Sequence, residues 1–276
     1  MRYSFCVLDI DGTLTNGFNT YHPRVVDRVR AYRERGGTVA LLSGRLPCGM
    51  LEPARLLELP AGTLIGGGDG AVLAVLNADG TLEWAWTRAL SVETLLPHLV
   101  AADQPGLALT PTRVIAVGTT EKITYRLASI TSPVVHPLPD WTKLPEALAG
   151  EPLVGVRFIL ERAAAVSLIA RFSVVPEGDQ EVFDNQEFTH QNVGFSIRPT
   201  GSDKGTALER MIAAAGFSKE STAAFGDWIT DIPMMRSAGF SSAPSDALKA
   251  VREAATRVSA HTISDGWLAT EMDLLQ

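Results

Sequence analysis

Four short stretches of this chain combine side chains able to do chemistry with glycines that let the backbone turn tightly. The first is Asp9-Ile10-Asp11-Gly12-Thr13. In an extended run Asp9 and Asp11 point to the same side, so two carboxylates converge just before a tight turn. Like charges that close repel unless one is protonated or a cation sits between them. A hard divalent ion with oxygen ligands meets that need, and Mg²⁺ is the usual choice beside a phosphate group. The second stretch, Ser43-Gly44, offers a hydroxyl and backbone N–H groups suited to phosphate oxygens. The third is Lys204, near the start of a helical segment, where its charge and the helix dipole both favour an anion. The fourth, Gly226-Asp227-Trp228-Ile229-Thr230-Asp231, brings two more carboxylates four residues apart.

Together these supply acids for a metal, a hydroxyl and an ammonium for phosphate, and a carboxylate able to attack. Carboxylate nucleophiles that form aspartyl-phosphate are an established mode of covalent catalysis. One aspartate would attack phosphorus, and the other would protonate the leaving alkoxide and then take a proton from water. Mg²⁺ and Lys204 would neutralise the equatorial oxygens during transfer.

The apolar pattern says how these residues are positioned. Ser4–Ile10 is an apolar run ending in acid, the pattern of a strand buried on both faces. Pro23–Arg35 places Val25, Val26, Val29 and Tyr32 at helical spacing and stops at Gly36-Gly37. Thr38–Leu42 is a second buried strand, so the three elements predict a right-handed βαβ unit in a parallel sheet. Thr63–Ile65 adds a short strand before the glycine-rich Gly66–Gly70, which lacks the spacing of a nucleotide loop and reads as a turn. Between about Thr81 and Ser196 the texture changes to short strands and helices punctuated by Pro133, Pro137, Pro139, Pro145 and Pro152. The βα rhythm then returns: helix Ser202–Ala215 stopped by Gly216, strand Thr222–Phe225, and helices over Ile232–Ser237, Asp246–Ala255 and Asp265–Leu275. The expected fold is α/β, a Rossmann-like parallel-sheet core with an inserted α+β cap domain. The core would comprise residues 1–80 and 197–276, and the cap 81–196. In open parallel sheets ligands bind outside the carboxyl ends of the strands, where all four polar stretches fall.

The sequence resembles the haloacid dehalogenase superfamily of phosphatases, specifically the Cof-like subfamily with a large inserted cap of the C2 type. Its motifs stand here as VLDIDGTL (Val7–Leu14), LLSGR (Leu41–Arg45), Lys204 within SDKGTAL, and GDWITDIPMM (Gly226–Met235). GGDGAVL (Gly67–Leu73) is similar to the Asn-Gly-Ala stretch before the cap, and the tail from His261 to Leu275 to the subfamily's closing segment. The resemblance implies that Asp9 is the nucleophile and a metal ligand, and that Asp11 is the general acid/base with its carbonyl on Mg²⁺. Ser43, Gly44 and Lys204 would hold the phosphate, Asp227 would complete the metal shell, and Asp231 would be either a ligand or its support. Two positions depart from the pattern. Thr230 stands where Asn is usual, a shorter group for the phosphate or a metal-bound water. Asp69 replaces Asn before Gly-Ala and adds an acid at the cap entrance, a candidate substrate contact that would alter preference.

Other residues divide between packing and recognition. Arg45 is either a substrate contact or a core-to-cap ion pair. Trp228 reads as packing, as do Cys6 in its apolar run and Cys48. In the cap, Glu177, Asp179, Asp184, Asn185, Glu187 and His190 form a polar cluster. Its acidity suits recognition of sugar hydroxyls or an amine, with Glu177, Asp184 and Glu187 the candidate contacts.

Composition bounds the rest. The 276 residues are 46% hydrophobic, enough for one or two cores, and carry a net charge of −7. That acidity argues against a sequence-independent grip on nucleic acid, which needs clustered Lys and Arg. Two cysteines make no disulfide framework, and the five histidines show no ligand spacing for zinc. The N-terminus lacks a signal-peptide pattern and no apolar run is long enough to span a membrane. The expectation is a cytoplasmic Mg²⁺-dependent phosphomonoester hydrolase, monomeric or homodimeric, acting on a small phosphorylated metabolite of the sugar-phosphate class. The rivals are a phosphomutase, which returns the phosphoryl group to sugar, and a non-catalytic binding protein on the same fold. A receiver-type signalling module shares the acid cluster, hydroxyl and lysine, but it has about half this length and no inserted domain.

Overall fold

The computed structural model describes residues 2–16, 20–118, 128, 131–175, 178–183 and 192–275. The chain divides into two compact units. One comprises Met1–Gly44, Met50–Ala85 and Asp203–Gln276, and the other Arg45–Gly49 and Trp86–Ser202.

The first unit is built on an eight-stranded sheet. Its strands run in the order Arg257–Val258, Phe240–Ala243, Thr222–Phe225, Phe5–Leu8, Thr38–Leu42, Leu64–Gly67, Val72–Leu76 and Leu82–Thr87. The first six are parallel neighbours, and Leu64–Gly67 pairs antiparallel with Val72–Leu76. Register across the centre is set by Leu8 opposite both Leu41 and Phe225. Those strands are buried on both faces, as their unbroken apolar runs require. Helix Pro23–Glu34 buries Val25, Val26, Val29 and Tyr32, the stripe expected from the sequence. The Tyr32 hydroxyl donates to the Tyr3 carbonyl at 2.9 Å, so its polar end is satisfied inside the core.

The second unit carries a six-stranded sheet in the order Asp179–Phe183, Asn192–Arg198, Gly155–Glu161, Gly106–Leu109, Val114–Val117 and Val135–Leu138. All its neighbours are antiparallel except the last pair. Helices Val92–Ala102 and Arg162–Phe172 contribute Leu95, Leu99, Ala165, Leu168 and Phe172 to its core. Phe158, Phe172 and Phe195 pack against one another there, with ring centroids 5.9–6.2 Å apart.

Differences from the sequence reading have local causes. Strand Phe240–Ala243 escaped notice because its buried centre is Ser241-Ser242, a polar pair with no apolar signature. Ser241 shares a hydrogen bond with Thr256 and Ser242 donates to Glu271, so neither hydroxyl is stranded. The strand at Thr63–Ile65 runs instead over Leu64–Gly67, with the turn confined to Gly68–Gly70. Helix Ser202–Ala215 begins at Lys204, because Asp203 caps it: the Asp203 carboxylate accepts from Thr206 N at 2.8 Å, and Thr206 Oγ1 accepts from Asp203 N at 3.2 Å. Gly216 ends the helix in the left-handed conformation.

Asp203→Ala removes that cap one residue before Lys204. The variant is expected to lose ~1 kcal/mol of stability, read from urea unfolding midpoints at constant slope; an unchanged midpoint would contradict the capping role.

Candidate active site

Three neighbouring parallel strands end at Phe225, Leu8 and Leu42, and the residues that follow them are Gly226-Asp227, Asp9 and Ser43. Sheet geometry alone therefore delivers side chains from distant parts of the sequence to one edge. Asp9 N donates to the Phe225 carbonyl at 3.0 Å, fixing the first carboxylate against the neighbouring strand end.

Lys204 is the hub. Its Nζ donates to Asp9 Oδ1 at 2.7 Å and to Asp231 Oδ1 at 2.6 Å, and all three side chains are buried. The other Asp231 oxygen accepts from the backbone N–H groups of Asp227 and Trp228, at 3.0 and 2.9 Å. Both oxygens of Asp231 are thus committed to holding Lys204 and its own loop. Asp227 is oriented by Thr13, whose hydroxyl donates to Asp227 Oδ1 at 3.1 Å. Two glycines make the packing possible. A Cβ at Gly12, at φ +84°, would lie 2.2 Å from Asp227 Oδ2, and one at Gly226 would lie 2.4 Å from Asp231 Cγ.

Asp9, Asp227 and Asp231 each offer a carboxylate oxygen, all within 4.8 Å of one another. Burial pushes the Asp9 carboxyl up to about 7, helped by the charges of Asp231 and Asp11 and opposed by Lys204. Burial raises Asp227 well above its ordinary range, with the charges of Asp9 and Asp231 adding to it. Burial alone would pull the Lys204 ammonium down, but Asp231, Asp9 and Asp69 outweigh it and hold it above its ordinary value. Three buried carboxylates against one ammonium leave an excess of negative charge that a proton or a cation can neutralise. An all-oxygen donor set without thiol or imidazole suits a hard divalent ion.

The remaining sequence-predicted residues sit as follows. Asp11 is half-buried and contributes its charge to the field at Asp9. Ser43 is buried; its N–H donates to Gly66 O at 3.0 Å and its carbonyl accepts from Asp69 N at 3.2 Å. Gly44 follows, half-buried. Asp69 is buried with left-handed backbone (φ 53°, ψ 32°) and adds negative charge at Lys204. Thr230 is half-buried on the single turn Ile229–Asp231. Arg45, expected as either a substrate contact or a core-to-cap ion pair, is buried and falls in the second unit. Cys48 lies in that unit too, its Sγ 3.3 Å from both Thr112 O and Ser132 Oγ, while Cys6 is a core residue beside Met272. Glu177, Asp184 and Glu187 lie outside the described residues, as do Asn185 and His190.

Two residues carry roles beyond those expected from the sequence: Thr13, whose position right after Asp-x-Asp-Gly is a usable signal, and Trp267, whose indole N–H donates to the Gly12 carbonyl at 3.0 Å. Nothing in the local sequence marks that contact, which joins residues 255 positions apart.

The haloacid dehalogenase-like hydrolase family matches this chain over residues 6–93 and 174–269. The chain belongs to that family, and it is a hydrolase. It is 24% identical over 266 residues to a phosphoglycolate phosphatase of Methanosarcina acetivorans, covering 96% of this chain and 94% of the relative. Its fold is similar to that of a haloacid dehalogenase-like hydrolase from Bacteroides thetaiotaomicron, with a TM-score of 0.80 at 20% identity over 99% of this chain and 100% of the other. It is also similar to a protein described as a subclass IIB sugar phosphatase, with a TM-score of 0.74 at 18% identity over 98% of each chain. Among the described residues, no helix is long and apolar enough to cross a membrane.

The Asp9 shift has a thermodynamic consequence. Between the ordinary value of 3.8 and about 7 the folded chain keeps a proton on Asp9 that the unfolded chain has lost. Unfolding free energy therefore falls as pH rises through that window. Asp9→Asn should flatten the fall, measured by urea unfolding in chelator at about pH 4.5 and about pH 7.5. A variant as steep as the wild type would contradict the assignment.

Proposed function

We propose that this protein is a Mg²⁺-dependent phosphomonoester hydrolase acting on a small phosphorylated metabolite, with sugar phosphates the favoured class. The observation that carries the reading is the buried Lys204 bridge between Asp9 and Asp231 at the carboxyl ends of the central strands. It leaves a carboxylate and a permanent positive charge side by side, which is what attack on a dianionic phosphate requires.

With Oδ1 on Lys204, attack on phosphorus falls to Asp9 Oδ2. The P–O bond to the leaving group breaks as the acyl-phosphate forms, and Asp11 gives its proton to the departing alkoxide oxygen. Asp11, now a carboxylate, takes a proton from water; the water oxygen bonds to phosphorus, and orthophosphate and Asp9 are released. Ser43 and the Gly44 N–H orient the phosphoryl oxygens, Lys204 balances their charge, and Thr230 lies on the loop that could extend that grip. A divalent cation held by Asp9, Asp227 and the Asp11 carbonyl would supply further charge neutralisation. Asp231, with both oxygens engaged, acts as the support that holds Lys204 and the loop. The second unit would serve as the cap that selects the leaving group and excludes bulk water.

Two substrate classes have support. The acidic stretch that includes Asp179 favours neutral or amine-bearing leaving groups, and the fold is similar to that of a described sugar phosphatase. The likeness to a phosphoglycolate phosphatase over nearly the whole chain favours a small carboxylated phosphate instead.

Phosphate release from sugar, amino-sugar, polyol and nucleotide phosphates and 2-phosphoglycolate, with and without Mg²⁺, tests the reading. Release should require the cation, and Asp9→Asn should lower kcat by ~10³-fold or more. Cation-independent release, or an active Asp9→Asn, would overturn it; preference for 2-phosphoglycolate would settle the substrate against sugars.

A further inference from the structure

Helix Trp267–Met272 places two buried polar side chains one turn apart, Trp267 and Glu271. One reaches the Asp9–Thr13 turn and the other the strand that pairs with Thr222–Phe225. The Trp267 indole N–H donates to the Gly12 carbonyl at 3.0 Å. Glu271 Oε2 accepts from Ser242 Oγ at 2.9 Å and from Arg257 Nε at 3.0 Å. Ser242 is registered opposite Phe225, the residue just before Gly226 and Asp227. One short helix therefore ties down both the Asp9–Thr13 turn and the strand beside Asp227.

The Gly12 contact matters more, because of what it does to one peptide plane. The carbonyl of the Gly12–Thr13 peptide is taken by Trp267, and its N–H donates to the Ile10 carbonyl at 3.2 Å. With both ends occupied, that peptide cannot rotate without losing two hydrogen bonds. The N–H of that plane belongs to Thr13, whose hydroxyl orients Asp227. Gly12 itself, at φ +84°, leaves room for the Asp227 carboxylate, since a Cβ there would fall 2.2 Å from Asp227 Oδ2.

We propose that Trp267 is a positioning residue for the hydrolytic site: its indole N–H locks the Gly12–Thr13 peptide and through it the alignment of Thr13 and Asp227. The proposal rests on the hydrolase reading above for its kinetic consequence, and on geometry alone for the lock itself. Trp267 touches no reacting atom, so its loss acts on the rate of the chemical step rather than on the grip on substrate.

The test compares Trp267→Phe, which keeps a buried ring but has no N–H, with Leu268→Val, which loosens the same helix through a buried apolar side chain. With the best phosphate ester of the panel, Trp267→Phe should lower kcat ~10-fold with KM within ~2-fold of wild type. Leu268→Val, with a similar loss of thermal stability, should keep kcat. Equal loss of kcat in the two variants, or a Trp267→Phe enzyme within ~2-fold of wild type, would overturn the proposal. A second measurement needs neither turnover nor the variant's folding. In the ¹⁵N-labelled wild-type protein the Trp267 indole N–H should exchange slowly with solvent and shift on adding Mg²⁺ with orthophosphate. Fast exchange, or no shift when both are bound, would equally overturn it. A wild type that releases no phosphate from any ester would sink the hydrolase reading, and the indole measurement would still decide the lock.

Discussion

The buried Lys204 ammonium balances Asp9 and Asp231 directly and Asp227 and Asp69 through the field, and this imbalance of charge governs how the first unit is built. Buried carboxylates are tolerable only when hydrogen-bonded or paired. Asp231 meets the requirement with one ammonium and two backbone N–H groups, Asp227 with the Thr13 hydroxyl, and Asp9 with Lys204. What is left over is affinity for positive charge, expressed as the raised protonation of Asp9 and Asp227. A site that stores negative charge in this way is ready to accept a cation and then an anion.

The rest of the unit keeps those groups from relaxing apart. The parallel register fixes Leu8 between Leu41 and Phe225, so the three strand ends cannot slip relative to one another without breaking the backbone ladder that joins them. Lys204 is delivered by a capped helix start, which sets where its long side chain begins. Gly70 lets the turn after Leu64–Gly67 approach that start closely, since a Cβ there would fall 2.3 Å from the Asp203 carbonyl. At the far end of the chain, Trp267 returns to hold the Asp9–Thr13 turn and Glu271 to hold the strand beside Phe225.

Much of this was legible in the sequence because it is written in local patterns. The apolar runs ahead of Asp9, Ser43 and Asp227 marked buried strands, and parallel α/β topology then required their ends to meet. Asp-x-Asp-Gly-Thr and the paired acids of Gly226–Asp231 announced charge in need of a partner. The Lys204–Asp231 pairing was not legible, because it depends on which of two nearby carboxylates faces the helix start. Trp267 and Ser242 were hidden for different reasons. The first acts across the whole length of the chain, and the second belongs to a strand whose buried polar residues mimic a loop.

The central claim is that Asp9, paired to Lys204, is the group that takes the phosphoryl from substrate. Its most direct test is to quench the enzyme during turnover, reduce the protein with borohydride and map the modified residue by peptide mass spectrometry. An acyl-phosphate on Asp9 would be reduced to homoserine at position 9 alone, and that is the expected result. Modification at Asp227 or Asp231 instead, or phosphate release with position 9 unmodified throughout, would contradict it.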